Sequence, residues 1–307
     1  MKRITDFALS LLMIGLSLVG YETVALAQSR LKPLSTTIRV PDSSAEKPGG
    51  LRAHTNIRYL TWQGVPATPE ASGPPYPGYF YESPASIACI YGLQPQVPGC
   101  NPNVVSANPA GGGRAIAIVD AYDDPDAHAD LSIFSAQFGV EPIGSPSFTV
   151  VYAPFGGTSP GSCTGSATKP AVDPTGGWEL EESLDIEMAH SMAPAAKLYL
   201  VEAQSNAWAD LLCAVTVAGK LVAKAGGGEV SMSWGAGEPA YFSAQYPKQT
   251  SMDPVFTQRG VVYFASAGDS PGTLFPSTSP NVVSAGGTTL STDATTGDFL
   301  VEKVLNK

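Results

Sequence analysis

From Tyr79 onward, short apolar runs alternate with longer stretches in which apolar residues recur every three or four positions. That alternation predicts a three-layer α/β domain around a mostly parallel sheet, because buried parallel strands read as continuous apolar runs and their crossovers as amphipathic helices. Strands are expected at 114–119, 147–152, 197–201, 229–233, 261–265 and 281–285. A helix should start at Asp124 as N-cap with Pro125 in its first turn, and end near Phe138 with Gly139 closing it. A second helix, 178–192, is stopped by Pro194, and a third spans 207–225. Residues 79–307 suffice for one domain core.

The 178–192 helix carries Leu180, Leu184, Met188 and Met192 at helical spacing, and this stripe is expected to face the core. Glu181 and Asp185, also one turn apart, would then lie about 100° to one side, at the edge of the buried face. Two carboxylates held so close and partly desolvated cannot both ionise easily, so they can share a proton and act as a base in acid. The plainer alternative is a solvated acidic face, since acids favour the first turns of helices and Glu179, Glu182 and Glu187 share this one. Asp269 follows the 261–265 strand at the sheet's carboxyl end, where α/β sites gather. A protonated Asp there could donate to a developing oxyanion, although Gly268 to Gly272 also has the composition of a simple turn.

Upstream of this domain the pattern changes twice. Lys2 and Arg3, an apolar run of 14 residues from Phe7 to Gly20, and Ala25-Leu26-Ala27 read as an export signal at 1–27, with the mature chain starting near Gln28. The run is short of the roughly 20 residues a membrane anchor needs, so an uncleaved anchor is the lesser alternative and no membrane attachment is expected after cleavage. Residues 28–78, rich in Pro, Ser, Thr and Gly, read as a leader or extended arm.

Charge and cysteines narrow the setting. The net charge of −10 is unchanged by loss of the signal, and no basic cluster exists to contact phosphates, which excludes nucleic acid as a partner. Four cysteines in an exported chain, with no Cys-x-x-Cys spacing, favour disulfides over a metal site. Of the three possible pairings, Cys89 with Cys100 and Cys163 with Cys213 is favoured; the alternative leaves one pair reduced and buried.

The ordered set of segments 82–93, 115–125, the acidic helix, Ser231-Met-Ser-Trp-Gly235, Ala267-Gly-Asp269 and 275–288 resembles the sedolisin family of serine-carboxyl peptidases over about 79–290. The resemblance implies a subtilisin-like fold, a polypeptide substrate, a monomer and action in acid. It makes Glu181 the general base, Asp185 the acid that orients it and Asp269 the oxyanion-stabilising acid. The family's nucleophile is a serine of a Gly-Thr-Ser motif at a helix start well beyond the Gly-Gly-Thr strand, and none follows Thr288 here. Ser270, Ser277 and Ser279 lie near the right sheet edge without that motif, and His54, His128 and His190 do not sit in the helix start of a Ser-His-Asp triad. Asp120 is expected to cap the first strand and support the site.

The family's calcium loop and large propeptide domain are likewise not matched, so no cofactor or metal is expected in this chain. The expected reading is a secreted sedolisin-like endopeptidase domain, incomplete at its C-terminus and inactive as it stands. The alternatives are a non-catalytic peptide-binding pseudo-peptidase and a defective, poorly folding product.

Overall fold

The structure, a computed structural model, describes residues 36–45, 52–62, 82–93, 100–144, 147–237, 249–269, 271–293 and 298–304. The signal at 1–27 and Ser270 lie outside the described residues. In chain order come β1 (Thr36–Arg39), β2 (His54–Thr55), β3 (Tyr59–Trp62), α1 (Pro84–Ile90), β4 (Ala115–Ala121), α2 (Ala127–Phe138) and β5 (Phe148–Tyr152). A hairpin of β6 (Phe155–Gly156) and β7 (Cys163–Thr164) precedes α3 (Gly177–Met192), β8 (Lys197–Ala203), α4 (Trp208–Lys224), β9 (Gly228–Met232) and β10 (Trp234–Gly237). Then follow β11 (Val261–Ser266), β12 (Leu274–Phe275), β13 (Val283–Ala285), β14 (Thr288–Thr292) and β15 (Phe299–Val304).

The main sheet has six strands in the order β13-β11-β9-β4-β8-β5, and every neighbouring pair is parallel. Chain order reverses direction at β4, with β8 and β5 on one side and β9, β11 and β13 on the other. The carboxyl end of β4 is therefore the switch point at which ligand sites of open α/β sheets form. Strand alternation sends Ala117, Val119, Val201, Val230 and Met232 to one face, against Leu211, Leu212, Val215 and Val222 of α4. Ile118, Leu198 and Leu200 point to the other face and meet Leu131 of α2 and Ile186 of α3. Close packing of α4 depends on Gly219, where an added Cβ would stand 2.5 Å from the Tyr263 hydroxyl.

The six predicted strands are present. The first helix starts later than expected: its N-cap is Asp126, not Asp124. Asp124 instead uses Oδ1 to accept from the Asp126 backbone N–H at 2.9 Å, holding the turn that contains Pro125 and delaying the first helical turn. Gly139 closes the helix in the left-handed region at φ 64°, as expected. The structure bonds Cys89 to Cys100 and Cys163 to Cys213. Residues 28–78, read as a leader or arm, contain three strands: β1 pairs with β3, and β2 is built into the domain beside β10. Beyond β13 the chain forms the antiparallel β14-β15 hairpin, tied back by the Phe299 N–H donating to Asn103 Oδ1 at 2.7 Å.

Candidate active site

Asp173 sets the start of the acidic helix. Its Oδ2 accepts from the Gly177 and Trp178 backbone N–H groups, both at 3.2 Å, and from the Thr175 hydroxyl at 2.8 Å. A carboxylate there satisfies orphan donors and favours the positive end of the helix dipole. Gly176 enters the helix at φ 71°, a left-handed position natural to glycine.

The helix is rotated from the expectation by about 100°, so that the acid-bearing face, expected at the edge of the buried side, is turned inward. Trp178, Glu181, Glu182, Ile186 and His190 are buried, whereas Leu180 and Leu184 are 38% and 39% exposed. The acids therefore occupy the core-facing side, and the leucine stripe faces outward. Leucines and acids repeat with the same four-residue spacing on adjacent faces, so periodicity marks two stripes and hydrophobicity alone selects the wrong one.

Glu181 is 5% exposed, and burial pushes its carboxyl up to about 9, with the charges of Asp185 and Asp269 adding to the effect. Asp185 is raised less, to about 6, because the Ser233 side-chain hydrogen bond favours its charged form and offsets part of the burial. Burial and mutual repulsion thus raise both carboxyls, so the pair holds a shared proton into a range where ordinary carboxyls have lost theirs. Asp269 follows β11 through Gly268, whose φ of 91° and whose place 2.5 Å from Leu274 Cδ1, measured from an added Cβ, admit only glycine. Beside Asp269 lies a cavity of about 210 Å³, bounded by Ser233, Ser266 and Gly286 at the carboxyl ends of the strands. The structure therefore brings Glu181, Asp185 and Asp269 together.

Asp120 does not cap the first strand. It lies within β4, fully buried, with neither carboxyl oxygen hydrogen-bonded, and burial together with Asp185, Glu181 and Glu202 holds its carboxyl well above the usual range. Glu202 is its register neighbour on β8, and Glu182 of α3 is equally buried, with Asp120 and Glu202 raising its carboxyl beyond the effect of burial. A second layer of carboxyls thus backs the Glu181–Asp185 pair, and sequence reading missed it. The available signal was a single acid inside each of two otherwise apolar strands, since unpaired Asp and Glu are almost never fully buried.

The other candidates have structural partners. The Ser277 hydroxyl donates to the Leu274 carbonyl at 2.7 Å, and the Ser279 hydroxyl to Asp253 Oδ1 at 2.6 Å. His190 bonds through Nε2 to the Glu141 carbonyl at 2.7 Å, His54 through Nδ1 to the Thr55 carbonyl at 2.9 Å, and His128 packs edge-on against Phe148. One Gly-Thr-Ser tripeptide does occur upstream, at Gly157 to Ser159, which the motif reading overlooked. It forms the turn of the β6-β7 hairpin rather than a helix start, with the Ser159 carbonyl accepting from the Ser162 hydroxyl at 2.6 Å. Among the described residues, no group of three or more His, Cys, Asp or Glu side chains is placed to hold a metal ion. No helix among them is long and apolar enough to cross a membrane.

No family model matches the chain. Over 197 residues, 60% of the chain, it is 31% identical to kumamolisin from Bacillus sp. strain MN-32. It spans only 32% of that relative's length. Pseudomonas sedolisin, a serine-carboxyl proteinase solved with two molecules of pseudo-iodotyrostatin, shares the fold with a TM-score of 0.53 at 20% identity, over 74% of this chain and 58% of that one. The likeness to Pseudomonas sedolisin bears on the fold, and the observed mostly parallel α/β arrangement is consistent with the subtilisin-like fold that the resemblance implied.

Proposed function

We propose that this chain provides the acidic part of a serine-carboxyl peptidase site acting on polypeptides in acid. Glu181 is the general base, Asp185 orients it and shares its proton, and Asp269 donates to the oxyanion. The observation that carries this reading is the proximity of Asp185 and Asp269 to Glu181, whose carboxyl both raise, with Asp269 lining a cavity at the sheet's carboxyl edge. No nucleophilic serine is identified among the 307 residues, so the chain by itself is read as inactive. A peptide-binding pseudo-peptidase is the second reading, favoured by the same gap.

Carboxyl NMR tests the pair. At least one midpoint of the pair should lie well above the ordinary carboxylate range, and Glu181→Gln should move the Asp185 midpoint. Two independent titrations at ordinary carboxylate values would return the helix to an electrostatic surface role. Export is proposed too, supported by the signal pattern at 1–27 and the two disulfides. Secreted material should begin at Gln28 on N-terminal sequencing, and a mature chain starting at Met1 would refute cleavage.

A further inference from the structure

The amino end of the main sheet, opposite the three acids, holds a second and larger cavity of about 600 Å³. Its walls are the starts of β4, β9 and β11, so the length of the strands separates it from Asp120 and Asp269 at the carboxyl end. A volume of this size suits a small-molecule ligand.

The segment leading into β4 supplies donors. Gly112 has φ 97° and Arg114 φ 66°, while Gly113 between them has no positive φ. Alternation of hand turns successive N–H groups toward one side, the geometry of a backbone nest for anions. The N–H groups of Gly112, Gly113 and Arg114 have no protein acceptor among the described residues. Their neighbours are tied down: the Ala115 N–H donates to the Gly227 carbonyl at 3.3 Å, and the Arg114 carbonyl accepts from the Lys197 N–H at 2.9 Å.

A left-handed φ is unfavourable for a residue with a Cβ, so an arginine at position 114 holds its guanidinium at the cavity wall against backbone strain. Nη1 lies 3.6 Å from the position of an added Cβ on Gly227, and the guanidinium has no carboxylate partner among the described residues. The rest of the wall is mixed. Glu229 is exposed and has no basic partner among the described residues, and Ile116, Val261 and Val262 add an apolar surface.

We propose that this cavity binds short apolar peptides by their free ends. The terminal carboxylate sits on the 112–114 N–H groups and the Arg114 guanidinium, the terminal ammonium pairs with Glu229, and the side chains lie against Ile116, Val261 and Val262. The site does not rest on the peptidase reading of Glu181, Asp185 and Asp269.

The test titrates the dipeptide Leu-Leu into the isotope-labelled full-length chain at about pH 5.5, where the terminal carboxylate and ammonium are both charged. Amide shifts at 112–116, 228–229 and 260–262 should saturate at millimolar peptide, while those of Ser233, Ser266 and Asp269 stay in place. Leu-Leu amide, which lacks the carboxylate, should bind at least about tenfold more weakly, and so should Leu-Leu to the Arg114→Gly chain, because each loses a charge-assisted hydrogen bond. Glycine suits φ 66°, so Arg114→Gly should fold with an unshifted or raised thermal midpoint, which separates lost binding from lost structure. N-acetyl-Leu-Leu should bind more weakly than Leu-Leu to the unsubstituted chain and equally well to Glu229→Gln, where the ammonium has no partner. The comparison of peptide analogues needs no variant and stands if a substituted chain unfolds. Absence of shifts at millimolar Leu-Leu, shifts confined to the carboxyl end, equal binding of Leu-Leu and its amide, or unchanged affinity in folded Arg114→Gly overturns the proposal.

Discussion

Raising the pH from about 4 to about 8 is expected to destabilise the fold steeply. Asp120, Glu182 and Glu202 are each fully buried, and Glu181 nearly so. Burial pushes Glu202 up to about 9, with Asp123 adding to the shift, and holds Asp120 and Glu182 well above their ordinary values. Folded values above unfolded ones mean that these groups cost nothing below about pH 4, where both states are protonated. Above that, the unfolded chain releases protons that the folded chain keeps, so stability falls with rising pH until the folded values near 9 are passed. Each retained proton costs about 1.4 kcal/mol per pH unit, and two such groups about 3 kcal/mol per unit. Against a typical total of about 5–15 kcal/mol, the loss is a substantial fraction of the stability.

Urea midpoints measured across that range should therefore decline, and Glu182→Gln combined with Glu202→Gln should flatten the decline. A midpoint that is level or rises toward neutrality would show that the buried acids are paired or hydrated.

Much of the fold was legible because its signals are local and mutually consistent. Apolar runs mark the strands, Gly139 and Pro194 end helices, and four cysteines in a chain with an export-signal pattern anticipate the two disulfides. The orientation of α3 was not legible. Its outward leucines and inward acids share one period, and which face is buried depends on packing against β4 and β8 that only the folded sheet supplies.

The same applies to Asp120 and Glu202. Eighty-two positions apart in sequence, they meet by parallel register. Segment 52–56, read as part of a featureless arm, has no apolar periodicity because its burial comes from main-chain pairing, which leaves little trace in residue type. The three acids proposed for catalysis were named through the family resemblance. From spacing alone, a solvated face was the favoured reading of Glu181 and Asp185.

Hydrolysis of denatured protein tests the central claim most directly. Base, orienting acid and oxyanion donor cannot take the covalent route without an attacking hydroxyl, so the purified 307-residue chain should show no turnover between about pH 3 and 5. Fused after Thr288 to the downstream Gly-Thr-Ser segment that the sedolisin family carries, and shown by circular dichroism to be folded, the hybrid should hydrolyse the substrate. Glu181→Ala or Asp269→Ala should then lower its rate by about 10² to 10³-fold or more, the loss expected for a general base or an oxyanion donor. Ser159→Ala and Ser277→Ala should leave it unchanged, since both serines belong to turns. Turnover by the unfused chain, or a hybrid whose rate is indifferent to Glu181 and Asp269, would contradict the account.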